Sequence, residues 1–264
     1  MFEELYAPLP DAEAYLERIG LPGLPRKCDP ETLDQLLYAH VHTIPFENLD
    51  AWAEGKAPAL SVRRMFKKIV LRRRGGWCHE LNALLRSLLT ALGFEAYTVA
   101  GRVTTAGFTV PLGHRAVICV LDGKKYYCDV GFGDIAFQGA VALDGTMSPF
   151  GFHIEKNGDW YEVWQGENPG RRLLAFPDLR FEPVDFLYAN RVSATDPAEH
   201  FRNTLYISLM RGDKRLLLEN GTLTEQGPAG GKTVIAEIDT ADRAALGALL
   251  EREFGIEYAF GDQA

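Results

Sequence analysis

The 264-residue chain reads as an α+β protein in three stretches: a helical first third, a central antiparallel β-sheet or barrel, and a small α+β unit at the end. Two observations lead there. The hydrophobic period changes from three-to-four to two at about Ala96. Beyond that point the pairs Asp122–Gly123 and Asn157–Gly158 separate short alternating segments, which is where tight hairpin turns are expected.

The first third is helical for local reasons. Asp29 followed by Pro30 makes a cap with proline at the first helical position, and Leu33, Leu36, Leu37, Val41 and Ile44 recur behind it on one face. A second helix is predicted from Ser61, burying Val62, Met65, Phe66, Ile69 and Val70. A third starts near Cys78, carries Leu81, Leu84, Leu85, Leu88, Leu89 and Leu92 on one stripe, and ends at Gly93, where a left-handed cap is expected. The segments AYTVAGRV, RAVICVL, KKYYCDV, FHIEK, DWYEVWQ and RRLLAF read as strands. TLYISLM, RLLLEN and KTVIAEI do so in the last part, before a helix from about Ala241 with Leu246, Leu249, Leu250 and Phe254 on one face.

Composition excludes several classes of function. No apolar run approaches the roughly 18 residues needed to cross a bilayer, and the acidic start MFEELYAPLPDAEAYLERIG is unlike a basic secretion signal, so a cytoplasmic location is expected. A net charge of -8 disfavours general binding to nucleic acid or an anionic membrane. The basic run Arg63, Arg64, Lys67, Lys68, Arg72, Arg73, Arg74 is the local exception; it reads as the solvated face of a helix, yet it could attract the phosphates of a small ligand. The four cysteines, Cys28, Cys78, Cys119 and Cys128, show neither disulfide nor zinc spacing, and no metal is expected.

The chemistry concentrates in RGGWCHELN, Arg74 to Asn82. A Gly-Gly loop delivers Cys78 to the start of a helix, where unsatisfied N–H groups and the helix dipole favour a thiolate. If Asp122 and Gly123 form a two-residue turn, Asp129 faces Ala116, and His114, two residues earlier, projects to the same face within reach of Asp129. Cys128 and Cys119 fall on the opposite face, and Cys28 has neither a base nor a helix start. Cys78, His114 and Asp129 then fit an activated thiol: the imidazole takes the proton and the carboxylate orients the imidazole. His40, His42, His79, His153 and His200 read as helix-face or surface residues. His79 next to Cys78 would chelate a metal poorly, because adjacent helical residues diverge by about 100°.

At these residues the chain resembles the arylamine N-acetyltransferase family. The carriers are HVHTIPFENLD (His40 to Asp50), RGGWCHELN, GRV (Gly101 to Val103), GHRAVICV (Gly113 to Val120) and DVGFG (Asp129 to Gly133), in that order. The resemblance implies a multidomain fold: an N-terminal helical bundle (residues 1–92), a central antiparallel β-barrel (93–200) and a C-terminal α/β lid (201–264), with a cysteine-protease-like triad. It implies Cys78, His114 and Asp129 as catalytic residues and acetyl-CoA as acyl donor. It also implies ping-pong transfer through a Cys78 thioester to an arylamine, arylhydrazine or N-hydroxyarylamine. Gly131, Phe132 and Gly133 would line the CoA cleft, with Phe132 as the aromatic wall for the arylamine. His79 stands where the family commonly has an aromatic residue. Phe46, Glu47, Asn48, Arg74, Glu80 and Asn82 match the family pattern and read as bracing.

A thiol hydrolase, an amide synthase using a larger acyl donor on the same scaffold, and a non-catalytic CoA or aromatic-ligand binding protein are the alternatives that the sequence leaves. No Walker or Rossmann glycine pattern supports phosphoryl or hydride chemistry.

Overall fold

The computed structural model of the chain describes residues 2–104, 110–167, 170–227 and 230–260. Its first third contains α1 (Ala12–Arg18), α2 (Pro30–Thr43), a two-residue strand β1 (Phe46–Glu47), α3 (Leu49–Glu54), α4 (Val62–Phe66) and α5 (Cys78–Leu92). Asp29 caps α2 by accepting the Thr32 N–H at 2.8 Å. The stripe Leu33, Leu36, Leu37, Val41 is buried with Ile44. α4 follows Ser61, but it runs into a π-helical turn over Lys67–Leu71. Met65, Phe66, Ile69 and Val70 stay buried across that turn, and Lys68 is drawn inward with them. All six leucines of the α5 stripe are buried, and Gly93 closes the helix at a φ of 102°, the left-handed region that suits glycine.

The centre is a seven-stranded antiparallel sheet of β2 (Glu95–Val103), β3 (His114–Leu121), β4 (Lys124–Cys128), β5 (Val141–Ala142), β6 (Phe152–Asn157), β7 (Trp160–Gln165) and β8 (Arg171–Pro177). The strand order is β5-β4-β3-β2-β8-β7-β6, and the two end strands approach one another, so the sheet nearly closes into a barrel. Leu121 pairs with Lys124 across Asp122 and Gly123, whose φ angles of 48° and 77° are those of a primed hairpin turn. The second hairpin corrects the sequence reading by one residue. Asn157 pairs with Trp160 and ends β6, so Gly158, with φ 60°, and Asp159 make the turn.

The two faces of β3 and β4 serve different cores. Tyr97, Val99, Ala116, Ile118 and Tyr127 fill the barrel with Phe137 and Phe176. Val117, Cys119 and Cys128 face the other way and pack with the α5 leucines, as strand alternation requires. Burial pushes the Cys119 thiol up to about 12 and the Cys128 thiol well above its ordinary value, so both are inert packing residues.

The last part holds α6 (Phe186–Thr195), α7 (His200–Asn203), β9 (Tyr206–Arg211), β10 (Lys214–Glu219), β11 (Thr222–Gln226), β12 (Lys232–Glu237) and α8 (Arg243–Phe254). Leu246, Leu249, Leu250 and Phe254 of α8 cover Leu216, Leu218 and Leu223 of the sheet. That sheet has the order β1-β9-β10-β11-β12, so its first strand comes from the start of the chain: Phe46 pairs with Ser208 and Glu47 with Ile207. Among the described residues no helix is long and apolar enough to cross a membrane.

Candidate active site

Cys78 is the first residue of α5, and the loop delivering it leaves no room for side chains. A Cβ at Gly75 would collide with the Pro45 carbonyl oxygen, and one at Gly76 would sit 2.8 Å from Glu80 Oε2. Ions hold the start of the loop, and Trp77 anchors its end in the core. Arg74 Nη2 donates to Glu47 Oε1 at 2.7 Å and to Asp50 Oδ1 at 2.9 Å; Lys68 Nζ donates to Asp50 Oδ2 at 2.8 Å and Glu80 Oε1 at 2.9 Å. Burial pushes the Glu80 carboxyl up to about 7 even though Lys68 opposes it. Burial alone would lower the Lys68 ammonium, but the carboxylates of Glu47, Glu80 and Asp50 outweigh it and raise it. Lys68 and Arg74 therefore belong to the framework under the cysteine loop, not to a solvated helix face.

His114 opens β3, and Asp129 directly follows the end of β4, the strand paired with it. His114 Nε2 lies 2.6 Å from Asp129 Oδ2, with the imidazole and the carboxylate both buried. Burial disfavours charge on the imidazole; Asp129 outweighs burial, the neighbouring Cys78 adds to it, and the His114 pKa rises to about 10. Burial likewise opposes the Asp129 charge, and His114 together with further donors holds the carboxyl below its usual range. Those donors are the Tyr127 hydroxyl at 2.6 Å on Oδ2, and the Asn82 amide at 2.8 Å and the Gly131 N–H at 2.9 Å on Oδ1. Asn82 comes from α5, one turn beyond Cys78, and its Oδ1 accepts the Val130 N–H at 2.9 Å. One amide thus ties the cysteine helix to the strand bearing the carboxylate.

Gly131 is set by this closeness. A Cβ there would stand 2.7 Å from Cys78 Cα. Phe132 meets the His114 ring edge-on at a centroid distance of 5.3 Å. Gly133, at φ 81°, lies against the Phe46 ring and accepts hydrogen bonds from Ser208 Oγ at 2.8 Å and Arg215 at 3.2 Å. The loop is therefore clamped between the barrel and the last sheet, and it lines a cleft with Ile44, Phe46, Asp129 and Met210. Phe46, Glu47 and Asn48 brace it: Asn48 Nδ2 donates to the Phe201 and Thr204 carbonyls at 2.7 Å, and its Oδ1 accepts the Tyr206 N–H at 2.8 Å.

The remaining histidines stand apart from this arrangement. His79 is buried between Trp77 and Phe186, at ring-centroid distances of 6.0 Å and 5.9 Å, and burial with Arg115 and His114 nearby lowers its pKa to about 3. It is a neutral aromatic filler. His40 is buried as well, bonded to the Tyr15 hydroxyl at 2.9 Å. Neither is a surface residue. The sequence reading singled out neither Tyr127 nor Arg115; the latter is buried beside Cys78 with its guanidinium 4.4 Å over the Phe186 ring, where burial lowers its pKa to about 9.

Comparison with known proteins agrees in sequence and in shape. The N-acetyltransferase family pattern matches residues 29–262. The arylamine N-acetyltransferase of Mycolicibacterium smegmatis is 32% identical over 265 residues, spanning 96% of this chain and 94% of that protein. Arylamine N-acetyltransferase 1 of Homo sapiens is 37% identical over 243 residues, 82% of this chain and 83% of that protein. The structure of Mycobacterium marinum arylamine N-acetyltransferase in complex with CoA superposes with a TM-score of 0.83 at 28% identity, covering 93% of each chain. With its helices, its near-closed barrel and its C-terminal α/β region aligned over almost their whole length, this chain belongs to the arylamine N-acetyltransferase family.

Proposed function

We propose that the chain moves an acetyl group from acetyl-CoA to Cys78 and from there to an arylamine, arylhydrazine or N-hydroxyarylamine. His114 takes the thiol proton and Asp129 orients and stabilises the resulting imidazolium. The observation that carries the reading is the 2.6 Å contact of His114 with Asp129 beside the helix-start cysteine, with the imidazole pKa raised to about 10. Such an imidazole holds its proton through the neutral range and so keeps a charged partner beside the sulfur.

Each half-reaction follows from these groups. The Cys78 sulfur attacks the thioester carbonyl; the tetrahedral oxyanion is met by N–H groups at the start of α5, that of Cys78 among them. The CoA sulfur leaves, taking the proton from the His114 imidazolium to give free CoA and a neutral imidazole, and the acetyl group stays on Cys78. Exchange of one thioester for another is nearly isoenergetic, so an activated sulfur and oxyanion donors suffice. In the second half the amine nitrogen attacks the acetyl-cysteine, the now neutral imidazole accepts the proton it releases, and the Cys78 thiolate leaves, restoring the starting pair. An aromatic amine is neutral at pH 7 and can attack directly, whereas an aliphatic amine is mostly protonated. Gly131, Phe132 and Gly133 would line the path of the donor, with Phe132 as an apolar wall beside the reacting sulfur. Support for this role comes from the cleft that Phe132 and Gly133 border and, for Gly131, from the absence of space for a Cβ beside Cys78. The reading includes a cytoplasmic location, supported by four free thiols.

The test is release of free CoA from acetyl-CoA with a panel of arylamines and arylhydrazines, beside Cys78→Ala. Amine-dependent release that disappears in the variant, with an acetyl adduct on the wild-type protein by intact mass, is the expected outcome. No release with any amine from folded protein would overturn the reading. Release only from a larger or carrier-bound acyl donor would make the chain an amide synthase.

A further inference from the structure

The basic run next to the cysteine loop divides in two. Lys68 and Arg74 are spent on Glu47, Asp50 and Glu80. Arg64, Lys67, Arg72 and Arg73 are exposed, and among the described residues none of them makes an ion pair. They line one groove of about 860 Å³, closed on the far side by the segment from Gly255 to Ala259 after α8. Arg73 sits there at φ 53°, a left-handed backbone that arginine seldom adopts, so the turn after the π-helix presents its side chain apart from those of its neighbours.

The acids of the groove do not cancel this charge. Asp50 and Glu80 already face Lys68 and Arg74, and Glu54 is engaged by Lys56 and the Tyr258 hydroxyl. Glu257, exposed at the edge, is the one remaining carboxylate of the lining. Four cations against one anion, on a chain of net charge -8, is a local concentration of positive charge that the fold holds against the overall field. Three of the four are arginines, whose planar forks match phosphate oxygens in pairs. The volume of the groove suits a small molecule. It shares no lining residue with the cleft beside Phe132.

We propose that this groove binds the consecutive phosphates of a small ligand, at a place separate from the acetyl-transfer cleft. Arg64 from α4, Arg72 from the end of the π-helical turn and Arg73 next to it would contact the phosphates, and Tyr258, whose ring carries Arg74 at 4.6 Å, stands on the opposite wall, where an attached base could pack against it. An inorganic polyphosphate and a nucleoside polyphosphate present the same phosphates, and the aromatic face separates them.

The experiment is titration calorimetry of the whole protein with inorganic tripolyphosphate and with a nucleoside triphosphate, for the wild type and for the double variant Arg64→Gln, Arg72→Gln. Both substituted side chains are exposed, and circular dichroism checks the fold. We expect saturable binding to the wild type that weakens at least tenfold in the variant and with added salt. Tighter binding of the nucleotide, lost in Tyr258→Ala, would identify the nucleoside form; equal binding of both would identify the phosphates alone. Either supports the site. Absence of binding, or equal affinity of wild type and double variant, would overturn it. This result does not depend on turnover, so it stands or falls apart from the acetyl-transfer reading.

Discussion

Tyr127 and His114 converge on a single oxygen of Asp129, each at 2.6 Å, while Asn82 and the Gly131 N–H occupy the other. The carboxylate is thus fixed by donors from α5, β4, its own loop and β3 before any substrate arrives. Tyr127→Phe removes one of these donors and nothing of the ring. We expect a loss of about 1.5–3 kcal/mol of stability, the range for a hydrogen bond to a charged group, read as a lower urea midpoint at unchanged slope. We also expect about a tenfold fall in acetylation rate constant, with the acid limb of its pH profile moved upward, because the Asp129 carboxyl loses a donor that holds its pKa down. An unmoved profile would make Tyr127 purely structural.

Asp129→Asn keeps the shape of the site and removes its charge. The amide can no longer stabilise an imidazolium, and it can hold the ring in the wrong tautomer. Acetylation of Cys78 in a single turnover should slow by about 10³–10⁴-fold, by analogy with the same exchange in serine-protease triads. A variant within tenfold of the wild type would remove Asp129 from the mechanism.

The pair also links stability to pH. The His114 pKa is raised from 6.5 to about 10, so its contribution is complete below about pH 6.5 and is lost as pH rises toward 10. Asp129 is shifted the other way, so its contribution is present above its ordinary 3.8 and is lost in acid. The stability difference between the wild type and His114→Gln should therefore be largest near pH 6 and shrink steadily up to about pH 10, by an amount on the order of a few kcal/mol. Denaturant titrations across that window measure it. A difference that is flat with pH would mean that the imidazole is neutral in the folded protein.

Gly131→Ala tests close approach rather than charge. The added methyl would stand 2.7 Å from Cys78 Cα, where the start of α5 cannot yield without disturbing Asn82. Overpacking costs about 1–3 kcal/mol, and the loop should relieve it by moving outward, taking Phe132 away from His114. We expect kcat/KM for the amine to fall by more than tenfold while Tm drops only modestly.

Lys68→Met addresses the ionic framework. It would leave Asp50 and Glu80 without their common cation at a buried position, a loss expected to reach about 3–5 kcal/mol in chemical denaturation. Restoring balance with Glu80→Gln in the same chain should recover part of that loss. A double variant as unstable as the sum of the two single ones would show that the residues do not act as a pair.

Much of this was legible in the residues. Caps and glycine stops at Asp29, Pro30 and Gly93 are local signals, and the structure keeps them. So is the Asp122–Gly123 turn, whose register alone puts His114 and Asp129 on one face. The same parity puts Tyr127 there too, two residues from Asp129, and that signal was available. Asn157–Gly158 misled by one position, because Asn157 remains paired in β6 and the turn falls on Gly158 and Asp159. β1, β5 and β11 were not legible: two of them are two residues long, and TLTEQ lacks a β-branched apolar run. Their pairing comes from the partner strand, which no window of local sequence contains. The ionic network under the cysteine loop was hidden for a related reason. Periodicity separates apolar from polar faces, but it cannot tell a solvated lysine from one buried among carboxylates.

The strand formed by Phe46 and Glu47 is stitched to Ser208 and Ile207, and the side chain of Asn48 next to it finds its partners, among the described residues, at 201, 204 and 206. During synthesis these partners emerge some 150 residues after Asn48 does, as the separation in the hydrogen bonds records. Until then the ribosome carries a chain whose cysteine helix is complete but whose supporting loop is not. The thiol thus acquires its finished surroundings late, after the barrel, and a chain cut short before β9 would bear Cys78 without the clamp that keeps Gly133 and Phe46 together.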